Sequence, residues 1–350
     1  MTPPPRPSAT TPRPKPGRAA TPMAFVRAIA LAYAQRGQSP AQALKQAQIA
    51  PNALTSPAAR ITAAQMELLS EAAMRELDDE ALGWFSRRLP WGSYGMLARA
   101  SLGAPDLGRA MKRWCRHHGL LAEDIALSLT VQDGVATLAI EERRDLGALR
   151  EFCLVSVLRN AHGLACWFIA SRLPLIEARF PFPAPPHAEA YGVLFPGGGQ
   201  HFGQDMALLR FDARYLAQPL RRDEAAMNQM LQRALPLTVR QYHRDRLLVE
   251  RVRQALQHQP QASHSAEALA TLLHLSPRTL HRQLKEEGAT LQGLKDEVRR
   301  QVAVDALLRT DRPIKQVALA AGFRNEKSFS RAFRAWTGET PQSFRGKSAR

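Results

Sequence analysis

The chain has 350 residues, with 48 Lys and Arg against 31 Asp and Glu, a net charge of +17 at neutral pH. That length accommodates two domains, each with its own core, and 45% hydrophobic residues exclude a wholly disordered chain. The three cysteines, Cys115, Cys153 and Cys166, are odd in number and follow no metal-ligand spacing, so they predict a reducing cytoplasm, no disulfide framework and no metal site.

Residues 1–21, rich in Pro and basic, offer almost nothing apolar to bury and are expected to form a disordered tail. They contain no apolar signal core, and no apolar run approaches the ~18 residues needed to span a membrane. Residues 22–237 are expected to form one mixed α+β domain. Helical spacing predicts helices over Met23–Gln35, over Ile61–Glu76 with Thr62 as N-cap and Gln65 closing a capping box, and over Leu107–His118 with Leu107, Met111 and Trp114 on one stripe. Ile125–Val131 and Val135–Ile140 flank Asp133-Gly134, the dipeptide of a type I′ hairpin turn. A long apolar helix follows over Arg150–Leu173, too polar at its ends to be transmembrane. Leu175–Phe180 and Ala207–Phe211 are expected strands, the 181–186 and Gly197–Gly199 stretches are loops, and Glu224–Leu235 is a closing helix.

Residues 238–350 are expected to form a second, all-α domain. It opens with a polar connection and a helix carrying Val249, Val252 and Leu256. Two helix-turn-helix patterns follow. In the first, Leu269, Ala270 and Leu273 face inward, Ser276 caps the next helix, Pro277 occupies its first position, and Leu280 and Leu284 are buried. Arg278, His281, Arg282 and Lys285 are then left on the free face. In the second, Ile314, Val317 and Ala318 face inward, Gly322 ends the helix, and Asn325 caps the next. Phe329, Phe333 and Trp336 form its buried stripe, leaving Glu326, Lys327, Ser328 and Arg331 outward. Cationic side chains at the free N-terminal end of a helix suit major-groove readout and phosphate contact. Between the patterns, Leu291–Leu308 reads as one helix with Leu294, Val298, Val302 and Leu307/Leu308 as contacts. A rod of roughly 27 Å follows from ~1.5 Å per residue. It holds two readers near the ~34 Å repeat of the major groove, which a flexible linker would not.

Charge placement agrees with this division. Residues 241–350 hold 20 basic against 11 acidic side chains, residues 1–22 hold 4 against none, and the middle holds 24 against 20. The largest excess accompanies the two patterns, as a phosphate-binding surface requires.

The spacing Ile314, Val317-Ala318, Gly322-Phe323, Asn325, Ser328, Phe329, Arg331, Phe333, Gly338, Thr340-Pro341 and Arg345 resembles the AraC/XylS family of transcription regulators, over residues 248–346. Val304 departs from the family's usual alanine on the linker helix. The resemblance implies control of transcription on double-stranded operator DNA, a homodimer and contact with RNA polymerase. Its groove-facing positions fall on Arg278, His281 and Arg282, and on Glu326, Lys327 and Arg331. The run Leu89–Met96, the Ala104–Gly108 helix start and Phe211–Leu220 resemble the arabinose-binding-like regulatory domain of a subset of these regulators. That resemblance implies a small-molecule effector of unspecified chemistry, with Trp84, Trp91, Trp114, Trp167 and Phe168 as candidate pocket residues beside their ordinary reading as core.

Two alternatives stand beside an effector-responsive regulator. One is an orphan regulator whose N-terminal domain only dimerises. The other is a DNA-repair enzyme, since related modules occur in such fusions. It needs a reactive thiol, for which the apolar surroundings of Cys153 and Cys166 are poor, so no enzymatic activity is expected. Gly92-Ser93-Tyr94-Gly95 has the wrong glycine spacing for a nucleophile elbow and reads as a turn. Gly197–Gly199 lacks the Lys-Ser/Thr of a phosphate loop. His117, His118 and His243 have no partner at metal-ligand spacing, and no cofactor is expected.

Overall fold

The computed structural model describes residues 19–231, 247–258 and 265–348. The chain divides into two compact units, Met1–His243 and Arg244–Arg350. The expected domain boundary at 237/238, the polar connection after it, His243 and most of the expected tail lie outside the described residues.

The first unit opens with strand β1 (Ala19–Pro22) and helix α1 (Met23–Ala34). After α2 (Ala41–Gln46), strand β2 (Arg60–Thr62) pairs antiparallel with β1. Residues 19–21, expected in the tail, therefore belong to the folded unit. Their main chain pairs with β2, an interaction that needs no apolar side chains. Helix α3 (Ala63–Glu76) starts at the expected capping box: Thr62 Oγ1 accepts from the Gln65 N–H, and Gln65 Oε1 accepts from the Thr62 N–H at 3.0 Å. The stretch read as a turn at Gly92–Gly95 instead begins helix α4 (Ser93–Leu102). Only Gly92, in the left-handed region at φ 100°, makes the turn.

Helix α5 (Leu107–Leu121) follows, capped by the Asp106 carboxylate, and then the hairpin of β3 (Ile125–Gln132) and β4 (Val135–Glu142). Asp133 and Gly134 sit at φ 50° and 75°, as a type I′ turn requires. Helix α6 (Arg150–Ile169) ends short of Leu173 because Ala170 is left-handed and Ser171 donates its N–H to the Cys166 carbonyl. Strand β5 (Leu175–Arg179), the single-turn helix α7 (Tyr191–Leu194), strands β6 (Gly199–His201) and β7 (Ala207–Asp212), and helix α8 (Glu224–Met230) complete the unit. The glycine stretch expected as pure loop contributes β6 through Gly199.

The five strands form one sheet in the order β3-β4-β7-β5-β6, antiparallel except for β5 with β6. Helices α5 and α6 lie against the sheet, and the core between them includes Met111, Trp114, Leu138, Leu158, Phe168 and Leu209. One expectation fails here. The run Gly147–Ile169 spans 23 residues and is long and apolar enough to cross a membrane. However, 78% of its apolar window is buried inside the unit, because both the sheet and the neighbouring helices need an apolar partner.

The second unit is helical: α9 (Leu247–His258), α10 (Ala266–Leu272), α11 (Pro277–Glu286), α12 (Leu291–Arg309), α13 (Ile314–Ala320), α14 (Glu326–Thr337) and α15 (Pro341–Ser348). It has two cores. Leu291, Leu294 and Val298 of α12 join α9, α10 and α11 in the first, while Ala303 and Leu307 join α13 and α14 in the second. Val302 packs against both. Leu308, expected as a contact, is 49% exposed because Leu307 takes the inward direction at that turn. Val304, the departure from the family pattern, is partly buried against the second core.

Candidate nucleic-acid interface

The two helix-turn-helix units are built alike: their turns stand 48 positions apart and their recognition helices 49, because the second turn carries one more residue, Arg324, before its cap. In the first, the turn after α10 carries His274 at φ 56°, with Leu275 donating its N–H to the Ala270 carbonyl at 2.8 Å. In the second, Gly322 sits at φ 77° and Phe323 donates to the Ala318 carbonyl at 2.9 Å. Both are helix ends closed by a left-handed residue and an apolar plug. Glycine made the second turn legible in sequence, whereas histidine at the same conformation hid the first.

Each recognition helix then starts at a side-chain cap. Ser276 Oγ accepts from the Thr279 N–H at 3.1 Å, and Asn325 Oδ1 accepts from the Ser328 N–H at 2.8 Å. Leu280 and Leu284 in α11, and their counterparts Phe329 and Phe333 in α14, are wholly buried and fix the rotation of each helix. The opposite faces are thereby committed to solvent. Arg278, His281, Arg282 and Lys285 are exposed, as are Glu326, Lys327, Ser328 and Arg331. Arg282 and Arg331 stand at equivalent positions, six residues after their caps. So do Lys285 and Arg334, nine residues after their caps; Arg334 is exposed and was not named from the sequence, although its counterpart Lys285 was.

These cations are largely unengaged. Arg282 approaches Glu286 at 3.9 Å with both side chains exposed, a pair worth little in water. Arg278, Lys285, Lys327 and Arg331 form no ion pair among the described residues. Anchoring comes from behind: Glu287, just past α11, accepts from the N–H groups of Leu248 and Val249 at 3.1 and 2.7 Å, and Arg253 of α9 pairs with Glu297 of α12 at 2.7 Å. Arg299 lies 5.3 Å over the Phe323 ring, tying α12 to the second turn. Helix α12, 19 residues and about 28 Å long, supplies part of both cores, so the two recognition helices share one rod.

Trp84, Trp114, Trp167 and Phe168 are buried core, and Trp91 lies at the surface under Arg75, 4.3 Å from its guanidinium. A cavity of about 10 Å³, room for a single water, lies where α5 and α6 meet the sheet. Met111, Leu129, Leu138, His162, Leu209 and Phe211 are among its lining residues. Burial pushes the His162 imidazole down to about 4, so it is neutral there at physiological pH. The three thiols are buried, and burial raises Cys115 and Cys166 to about 12 and Cys153 well above its ordinary value. None is a ready nucleophile.

Two recognition helices presented from paired cores on one shared helix define a double helix-turn-helix DNA-binding protein. Comparison with known proteins gives the same class. Residues 37–220 match the arabinose-binding domain of AraC transcription regulators, N-terminal part, and residues 269–347 match a helix-turn-helix domain family. The ornithine utilization regulator of Pseudomonas aeruginosa is 30% identical over 325 residues, covering 93% of this chain and 96% of that protein. The chain belongs to the AraC family of transcription regulators. The bifunctional transcriptional activator/DNA repair enzyme AdaA of Bacillus subtilis is 36% identical over 80 residues, 23% of this chain and 38% of that protein. That match is confined to the helix-turn-helix part. The structure of the transcriptional regulator CdpR from Pseudomonas aeruginosa is 20% identical, covers 88% of this chain and 96% of that one, and has a TM-score of 0.34.

Proposed function

We propose that this DNA-binding transcription regulator reads its operator with both recognition helices, and that a small molecule taken up by the N-terminal unit shifts its DNA affinity. Arg282 and Arg331 are the principal base readers. Arg278, His281, Glu326, Lys327 and Ser328 complete the two groove-facing sets, with Lys285 and Arg334 on phosphate. The observation that carries the reading is the equivalence of Arg282 and Arg331, each exposed six residues after a helix cap on opposite halves of one rod. The protein acts in the cytoplasm as a homodimer that contacts RNA polymerase, and it has no enzymatic activity of its own. The effector must bind two states of the protein with different affinities. The name of the ornithine utilization regulator makes ornithine the first ligand to try. Selection of bound sequences from a random duplex pool tests the DNA reading. Two short blocks about one helical turn apart are expected, and one block alone, or none, overturns it. A rise in melting temperature and a change in DNA affinity with one small molecule support the effector. Their absence across a broad amine, amino-acid and aromatic-acid panel favours the orphan, dimerising reading.

A further inference from the structure

The N-terminal unit has a basic face of its own. Helix α5 exposes Arg109, Lys112, Arg113 and Arg116, spaced i, i+3, i+4 and i+7, which places them on one stripe. No acidic residue occurs anywhere in α5. Arg109 approaches the capping carboxylate of Asp106 only at 3.9 Å, and Lys112, Arg113 and Arg116 have no ion pair or hydrogen bond among the described residues. Like charges at these spacings repel one another by a few tenths of a kcal/mol per pair. The helix therefore tolerates a local electrostatic cost that an anionic partner would relieve. Residues 23–240 carry a basic surplus of only 4, and this one stripe accounts for as many cations.

The opposite face of α5 is already used. Leu107, Ala110, Met111, Trp114, Cys115 and His118 are buried in the unit's core. Beside the charges the helix exposes one large apolar side chain, Leu120, which is too little for the apolar face that an interfacial membrane helix inserts. We propose that the α5 stripe is a second, sequence-independent contact to the phosphate backbone of the DNA flanking the operator. From Arg109 to Arg116 it runs about 10 Å, matching the axial rise of roughly three phosphates of one strand at ~3.4 Å of duplex axis each. DNA is the favoured anion because the second unit of the same chain holds duplex nearby at high effective concentration, an advantage an acidic protein surface lacks. The inference rests on operator binding by the recognition helices.

The test titrates full-length protein by fluorescence anisotropy, at several salt concentrations, on two duplexes carrying the selected site. One ends at the recognition blocks and the other extends about 20 base pairs on each side. The extended duplex is expected to bind at least 5-fold more tightly at low salt, with a salt slope steeper by about 2 to 3. The Lys112→Ala/Arg113→Ala/Arg116→Ala variant, all at exposed positions, is expected to lose that length dependence and keep its affinity for the short duplex. A length-independent parent, or a variant that retains the length dependence, overturns the proposal. So does a variant that loses affinity equally on both duplexes. Failure of the parent to select a site on the short duplex is a separate result and strikes at the operator reading itself.

Discussion

Truncating Phe333 to alanine removes the centre of the second core and tests whether the helical unit that contains it unfolds independently of the N-terminal unit. Phe333 is wholly buried, tilted against Phe329 at 5.6 Å between ring centroids and edge-on to Phe344 at 5.4 Å. A buried Phe→Ala change costs about 3–5 kcal/mol through lost transfer energy and the cavity left behind. The two ring pairs are part of that figure, at ~0.5–1.5 kcal/mol each. Taking about 4 kcal/mol, and a urea slope of ~2 kcal/mol/M for a small unit, the unfolding midpoint falls by about 2 M. The readout follows from the sequence: of the five tryptophans, only Trp336 lies in the second unit, and it packs on Phe323 at 5.8 Å. In protein labelled with 5-fluorotryptophan, its ¹⁹F resonance is expected to shift to the unfolded position at lower urea, while those of Trp84, Trp91, Trp114 and Trp167 keep their midpoints. A shift below about 0.5 M refutes the packing role of Phe333, and a parallel shift of all five signals refutes independent unfolding of the second unit.

Three further predictions concern readout and stability. Arg282→Ala and Arg331→Ala are each expected to weaken binding to the preferred site by about 1–3 kcal/mol and relax specificity locally; Lys285→Ala should weaken all sequences alike and reduce the salt slope by about 1, as competition titrations will show. His274 is held left-handed at φ 56°, where glycine is free of strain, so His274→Gly should leave the melting temperature unchanged or raise it, and a fall of several degrees contradicts that reading. Burial holds His118 and His162 at about 4, below their ordinary 6.5. The unfolded chain therefore takes up protons that the folded chain refuses, and stability present above pH 6.5 is lost as the pH falls toward 4. A melting temperature that stays flat from pH 7 to 4.5 contradicts it.

Legibility in the sequence followed locality. Thr62 with Gln65, Asp133-Gly134, Ser276-Pro277 and Asn325 each fix a helix start or turn through contacts within four residues, and each element formed where its local chemistry placed it. The faces of α11 and α14 were legible because Leu280, Leu284, Phe329 and Phe333 leave only one orientation. What depends on distant partners was not. The pairing of β1 with β2 rests on main-chain hydrogen bonds across about 40 residues, and the parallel placement of β6 beside β5 rests on an edge that no side-chain pattern announces. The length and apolarity of α6 were open to view in composition, but its burial rests on neighbours that only the tertiary fold supplies. His274 hid a helix end that glycine would have signalled. The basic stripe of α5 was present as spacing, but it became visible only once its other face was known to be buried.

The central claim is that α12 holds two readers at a fixed separation on one DNA face. The direct measurement inserts five base pairs between the two recognition blocks of the selected site and compares its affinity with the original and with a ten-base-pair insertion. A rigid rod of about 28 Å predicts that both insertions abolish bipartite binding, leaving the affinity of a single block: five base pairs turn the second block to the opposite face, and ten restore the face but add about 34 Å that the rod cannot span. Affinity retained with either insertion would contradict it.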